Sequence, residues 1–368
     1  MKRDDVQDLA LRCLLSLPSK PIRAGLDISM GVGKTLVCLK YISERTTTEL
    51  FTKVLVVAPK KSIFKAWEDE MNKHGYTGVK DLVDFVTYVS LPKKNLDDYS
   101  IVILDECHNL LYRHDAVISN YRGDIIGVTG TPPKTKTSEK GQMVNKYCPI
   151  VFNYSTDDAV NTGILNNYEI YVHLISLDTR NTFYQKTKKG GYYTSESKHY
   201  VYWCNAIDNA NPGKDVQMKR ILRMKAMMTY PSKEKYAKDL LEYIGDKVIL
   251  FANTKEQADK LCQYSYYSGN KKSDDNLEKF KSGEINKLSC VLQLNEGVNI
   301  PDLKQGIIMH AYGNERKSSQ RLGRILRLQP NETGKIHILC YENTVDVEWV
   351  KSAIDSFDST KIKWVKKS

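Results

Sequence analysis

Four short runs of apolar, largely β-branched residues punctuate the first part of the chain: KVLVVAP (53–59), DFVTYVS (84–90), IVILDE (101–106) and DIIGVTGTP (124–132). Stretches of helical spacing lie between them. SIFKAWEDEMNKHG (62–75) sets apolar side chains three and four apart and closes on a glycine suited to a helix C-cap. Continuous apolar strands alternating with helices predict a parallel sheet covered on both faces. The same grammar returns in KVILFAN (247–253), LSCVLQL (288–294), QGIIMHA (305–311) and KIHILCY (335–341), which predicts a second α/β domain. Thr254 followed by Gln257 is a capping box, and PSKEKYAKDLLEYIG (231–245) puts Ala237, Leu240, Leu241 and Ile244 on one helix face before stopping at Gly245. The expected organisation is a first domain over 1–154 and a second over 155–345. An insertion at about 178–232 interrupts the second near its start, and 346–368 form a basic helical tail. In the insertion the periodicity dissolves into TFYQKTKKGGYYTSESKHYVYW (182–203), with Lys189-Gly190-Gly191 as a hairpin tip, before a helix in VQMKRILRMKAMM (216–228).

Composition narrows the class. The 368 residues suffice for two or three domains at ~100–200 residues each. No stretch approaches the ~20 apolar residues of a membrane span, and MKRDDVQDLALRC has no signal-peptide core. A soluble cytoplasmic protein with no membrane partner is expected, in a bacterial or phage-infected cell. Eight scattered cysteines show no zinc spacing and read as reduced, packed thiols. Lys and Arg number 55 against 44 acidic residues, a net charge of +11. That balance fits a polyanion partner, and equally a basic protein that binds no nucleic acid.

Three segments carry chemistry. SMGVGKT (29–35) lies between a strand, LDIS, and a helix, TLVCLKYISE, the setting of a phosphate-binding loop. Gly31 and Gly33, flanking Val32, let the backbone wrap with its N–H groups inward, and the helix N-terminus adds partial positive charge. Lys34 would reach β- and γ-phosphates and the Thr35 hydroxyl would ligate Mg²⁺. Ile28 stands where the strict pattern has glycine, and taken alone the segment reads equally as a Gly-rich turn carrying a lysine. In IVILDECH a buried strand ends in Asp105, suited to Mg²⁺, and Glu106, suited to orienting and deprotonating water. Without the upstream loop, the same residues are a solvated acidic turn. SSQRLGRILRL (318–328) spaces Gln320, Gly323, Arg324 and Arg327 so that both arginines share one helix face. They suit a γ-phosphate, or in isolation an ordinary basic surface.

In order along the chain, SMGVGKT, VVAPKKS, FVTY, LDECH, GVTGTPP, VILFANT, LNEGVNIPD and QRLGRILR resemble the motif series of superfamily 2 helicases and translocases, over about residues 25–328. The resemblance implies two RecA-like domains, bound ATP with Mg²⁺, and nucleic acid running across both. It assigns Lys34 and Thr35 to the Walker A pair, Asp105 and Glu106 to Walker B, and His108 to coupling between ATP and nucleic acid. Thr129, Gly130 and Thr131 match the motif linking hydrolysis to domain movement. Gly297 and Asn299 match a ribose-contacting motif in which an acidic residue is commoner than Asn299, and Gln320, Arg324 and Arg327 match the arginine-finger motif. Gln7 falls where some relatives read adenine, although a glutamine on an exposed helix face looks the same.

For nucleic acid the resemblance points to Pro59, Lys60, Lys61 and Ser62, to Thr87 and Tyr88, and to Asn253, Thr254 and Asn295. Loops at strand ends offer N–H groups, hydroxyls and ammonium groups to phosphates. The loop Met-Gly-Val-Gly-Lys-Thr is similar to that of Swi/Snf-type and phage recombination helicases, which favours single-stranded or branched DNA over RNA. The expected activity is an ATP-dependent DNA helicase acting as a monomer, with a replication or recombination protein as partner. Alternatives are a duplex translocase that separates no strands, an RNA helicase and a catalytically silent scaffold. Lys188, Lys189 and Tyr192 in the insertion mix charge with stacking surface, as in a single-strand platform, or are a solvated hairpin.

Overall fold

The computed structural model describes residues 2–48, 53–187, 190–291, 300–311, 332–355 and 357–366. The chain divides into two compact units, one ending at Asn166 and the other starting at Asn167. Each is built on an all-parallel sheet, as the apolar runs predict.

In the first unit β1 (Arg23–Ile28), β2 (Val54–Ala58), β3 (Val83–Thr87), β4 (Ile101–Asp105), β5 (Asp124–Thr129) and β6 (Ile150–Tyr154) take the order β3-β2-β4-β5-β1-β6. Every residue of β2, β4 and β5 is buried, which requires cover on both faces. One face is covered by α1 (Arg3–Leu15), α2 (Lys34–Thr48) and α3 (Ser62–Lys73), through Val6, Ala10, Val37, Ile42, Trp67 and Met71. Met143, Val144 and Tyr147 of helix Glu139–Tyr147 pack with Tyr99 and Tyr121 in a second cluster. At the start of β5 the buried Asp124 gathers three elements. It accepts from Ile22 N at 2.8 Å and Tyr41 Oη at 2.8 Å and pairs with Arg45 at 3.1 Å.

In the second unit β7 (Asn167–Ile175), β10 (Val248–Ala252), β11 (Ser265–Tyr266), β12 (Lys287–Val291), β13 (Gln305–Ile308), β14 (Thr333–Tyr341) and β15 (Ile362–Lys366) form a sheet ordered β11-β12-β10-β13-β14-β7-β15. Strands β8 (Phe183–Thr187) and β9 (Gly190–Thr194) pair antiparallel in the insertion. Helices Glu196–Asp208 and Lys214–Met227 follow and pack on each other.

Three expectations need correction. The first unit extends past 154, because helix Thr156–Asn161 buries Ala159, and Leu165 beyond it, in the same core. The C-terminal residues are only partly helical. After helix Asp346–Ile354 the chain becomes β15 on the free edge of β7, where Lys363 pairs with Glu169 at 2.6 Å and Lys366 with Glu342 at 2.8 Å. The sequence reading expects the basic helical tail to continue here, but alternation and an open backbone edge favour a strand. The hairpin tip also shifts, since Thr187 pairs with Gly190. Gly190 therefore opens β9, and Lys189 of the expected tip lies outside the described residues.

The second unit holds a wholly buried charge pair, Lys233 with Asp346. The ammonium also meets His310 Nδ1 and Leu339 O, both at 3.1 Å, and lies 4.3 Å from the Tyr341 ring centre, while Tyr341 N donates to Asp346 at 2.9 Å. The cluster ties helix Pro231–Tyr243 to β14 and helix Asp346–Ile354. Lys233→Met leaves a carboxylate buried without its cation and is expected to cost about 3–5 kcal/mol in urea unfolding, with Lys233→Met/Asp346→Leu recovering much of it.

Candidate active site

The glycine loop expected to bind phosphate follows β1, and Lys34 is the first residue of α2, so the backbone N–H groups of the helix start are directed at whatever the loop holds. Gly31 has φ 88° and Gly33 φ 104°, a region that favours glycine. A Cβ on Gly33 would lie 2.5 Å from Gln7 Nε2. Ile28, where glycine was wanted, ends β1 with its side chain in the core. Thr35 follows on the first turn, partly exposed.

Gln7 is 1% exposed, which removes the exposed-helix reading. Its Nε2 donates to Val32 O at 2.8 Å, fixing the amide against the loop, and its Oε1 is buried with no partner.

Asp105 ends β4 and Glu106 follows in the left-handed region, φ 52° and ψ 57°. Such a conformation in a residue other than glycine marks a place where the surroundings override local preference. Those surroundings are charged and polar. Lys34 Nζ is 3.1 Å from Glu106 Oε1. Thr129 donates from Oγ1 to Glu106 Oε2 at 3.3 Å, and it shares a 2.8 Å hydrogen bond with His108 Nδ1. Thr131 N donates to the same hydroxyl at 3.1 Å. Burial works against both charged partners. For Lys34, Glu106 and Asp105 more than offset it, holding the ammonium above its usual range, and for Glu106, Lys34 and His108 do the same, holding the carboxyl below its own. Gly130 completes the contact between the two loops, since a Cβ there would meet Ile28 O at 2.9 Å and Lys34 Nζ at 3.3 Å.

Lys34, Glu106, His108 and Thr129 thus form one connected network, with Asp105, Gly130 and Thr131 beside it and Gln7 on the loop's outer side. Pro59, Lys60, Lys61 and Ser62 follow the C-terminal end of β2, with the two lysines and Ser62 exposed. Thr87 ends β3 and is partly exposed. Tyr88 is a correction: its ring is buried and its hydroxyl donates to Asp105 O at 3.0 Å, so the side chain supports the acidic loop from inside and offers nucleic acid nothing. Thr254 caps the helix after β10 by accepting from Gln257 N, and Asn253 N donates to Gln257 Oε1, both at 3.1 Å. Both amide atoms of Asn253 are buried without partners. In the insertion Tyr192 is exposed alongside Tyr184 and Tyr193. Lys188, Lys189, Asn295, Gly297, Asn299, Gln320, Arg324 and Arg327 lie outside the described residues.

Sequence reasoning missed two supports. Trp67 on α3 donates its ring N–H to Asp105 Oδ2 at 2.9 Å. The signal was a tryptophan on an apolar helix face, which when buried must find an acceptor. Asp27, next to last in the largely apolar β1, accepts from Asn153 Nδ2 at 3.1 Å. No group of three or more His, Cys, Asp or Glu side chains placed to hold a metal occurs among the described residues.

Residues 1–134 match the family model described as type III restriction enzyme, res subunit, and residues 232–329 the helicase conserved C-terminal domain. The chain is similar to the DNA 3'-5' translocase XPB2 of Sulfurisphaera tokodaii, 24% identical over 355 residues covering 87% of this chain and 78% of the relative. Its fold is similar to that of the ATP-dependent Type ISP restriction-modification enzyme LlaBIII bound to DNA. There the TM-score is 0.65 at 16% identity, covering 99% of this chain and 31% of that larger one. S. cerevisiae Dbp5 bound to RNA and ADP BeF3 shares the fold at a TM-score of 0.59 and 15% identity, over 98% of this chain and 89% of the other.

Trp67→Phe keeps most of the packing but removes the donor to Asp105. It is expected to lower stability by about 2 kcal/mol in thermal unfolding, the value of a hydrogen bond to a charged group.

Proposed function

The chain belongs to the superfamily 2 helicases and translocases, and on that premise we propose that it is a DExH-type motor that hydrolyses ATP to move along DNA. The observation that carries the reading is the connected set Lys34–Glu106–Thr129–His108, one end on the phosphate-binding loop and the other at the end of β5.

The residues fit a nucleotide. The loop glycines leave room for phosphate oxygens, and the orphaned Gln7 Oε1 is an acceptor suited to the exocyclic amine of adenine. The Thr35 hydroxyl and Asp105 carboxylate are hard oxygen donors suited to Mg²⁺, which when bound supplies charge screening of the phosphates. A phosphate at the loop competes for the Lys34 ammonium. As Lys34 turns toward it, Glu106 loses its cation and becomes available to orient water and accept its proton. Thr129 and His108 hold the other oxygen of Glu106, so that change reaches the β5 loop. The motif resemblance assigns Arg324 and Arg327 to the developing phosphoryl charge together with Gln320, and Gly297 and Asn299 to the ribose.

For DNA, the exposed Lys60, Lys61 and Ser62 with Thr87 in the first unit, and Asn253 and Thr254 in the second, offer backbone contacts indifferent to sequence, and the motif resemblance adds Asn295. The relative named a DNA 3'-5' translocase favours movement on DNA. The likeness to an RNA-bound structure makes RNA the control. In the insertion the exposed Tyr184, Tyr192 and Tyr193 offer stacking surface to a displaced strand, and the sequence adds Lys186, Lys188 and Lys189 as positive charge. The protein works as a monomer, with specificity supplied by a partner.

Phosphate release measured with single-stranded, duplex, forked and four-way DNA, and with RNA, should show stimulation by DNA. Lys34→Ala should abolish turnover, and Glu106→Gln should lower kcat by about 100-fold or more while nucleotide still binds. Stimulation by RNA alone would remove the DNA assignment, and full turnover in Lys34→Ala would remove the loop assignment. Replacing residues 185–192 by a short glycine turn should lower strand displacement several-fold and leave ATPase without DNA unchanged. Triplex displacement beside it separates translocation from unwinding.

A further inference from the structure

Asp27 is a carboxylate in a strand that otherwise buries Gly25, Leu26 and Ile28. In register it stands opposite Thr129 of β5 on one side and Asn153 of β6 on the other. Residues opposite one another in a parallel pair direct their side chains to the same face. Asp27 therefore shares a face with the threonine whose hydroxyl holds Glu106, and Asn153 Nδ2 fixes its Oδ2 at 3.1 Å. The charged groups acting on it are Lys34, at the start of α2, and Glu106, beyond β4. Asp105 and His108 lie around those two, while Arg23 and Asp124 belong to the opposite ends of β1 and β5.

The Lys34 ammonium lies at the ends of β1 and β5: a Cβ on Gly130, next after Thr129, would be 3.3 Å from Lys34 Nζ and 2.9 Å from the carbonyl of Ile28, next after Asp27. We propose that Asp27 is a positioning residue of the nucleotide site: from the strand below the loop it shares the Lys34 ammonium with Glu106, and so sets how much positive charge Lys34 has to spare for a phosphate. The role rests on the nucleotide reading given above. With Asp27 ionised, Lys34 is over-neutralised and holds phosphate more loosely, which favours product release. With Asp27 neutral, more of the ammonium's field is available and nucleotide is held more tightly.

Burial lifts the Asp27 carboxyl from 3.8 to about 6, with Lys34 pulling it down and Glu106 pushing it further up. Two pH signatures follow. An anion bound at Lys34 favours the protonated form, so nucleotide affinity should rise as pH falls through about 6. Without nucleotide, a carboxyl raised in the folded state contributes stability that is fully present below its unfolded value and is lost as pH rises through about 6.

The test is Asp27→Asn in the full chain, which keeps the shape and an acceptor for Asn153 but removes the charge. A fluorescent ADP derivative with Mg²⁺ is titrated from pH 5 to 8, and thermal unfolding without nucleotide is followed over the same range. Titration of the phosphates affects both proteins equally and cancels in the ratio of their affinities. At pH 8 Asp27→Asn should bind about fivefold tighter, converging with wild type to within about twofold at pH 5, in keeping with about tenfold for each unit of linked shift. Its advantage in melting temperature should grow between pH 5 and 7.5. The same pH slope in both proteins, or weaker binding by Asp27→Asn at pH 8, overturns the role. Absence of nucleotide binding by either protein at every pH, with the melting difference intact, overturns the nucleotide reading and this role with it.

Discussion

The ion pair between Lys34 and Glu106 is the interaction on which the first unit's chemistry depends. A glutamate in left-handed backbone, almost wholly out of water, combines a conformational cost with a desolvation cost, each on the order of kcal/mol. Lys34 offsets both from 72 positions away in sequence, and Thr129 and His108 complete the shell. The arrangement is stable while the ammonium has no better partner. On the proposed reading a triphosphate competes for that ammonium, so the interaction that stabilises the resting fold is also the one proposed to sense nucleotide.

Sheet topology makes that possible. Parallel strands buried on both faces have no room for polar side chains along their length, so the polar residues collect at their carboxyl ends, and adjacency of β4, β5 and β1 brings three such ends together. Trp67 and Tyr88 then brace Asp105 from the two covering layers, one through the carboxylate and the other through the carbonyl. Bulk and donor are supplied by one side chain in each case, which keeps the acidic loop fixed without adding charge.

Both units also bury a charge where elements converge. Asp124 holds the end of the loop before β1, α2 and β5, and Lys233 with Asp346 holds a helix start, β14 and the following helix. Neither lies in the network around Glu106. Their value is in specifying one packing of amphipathic helices that many arrangements could cover with similar area, because an alternative leaves a charge unsatisfied.

Sequence by itself determined the class of fold and marked the loops in which the candidate site's polar residues collect. Continuous apolar runs require a two-sided parallel sheet, Gly31 and Gly33 require a wrapped loop, and the family follows from the order of the motifs. It did not determine which polar side chains face one another. Gln7 stood open between an adenine-reading position and an exposed helix glutamine until α1 brought it onto Val32, and Tyr88 looked like a nucleic-acid contact until packing turned its hydroxyl to Asp105. The edge strand β15 was hidden in a lysine-rich tail because its partner, β7, begins almost two hundred residues earlier. Asp27 carried no motif and gained meaning only from register, opposite Thr129 and Asn153. Local patterning is encoded by spacing along the chain, whereas electrostatic partnership depends on distances through space, and only the folded sheet fixes those.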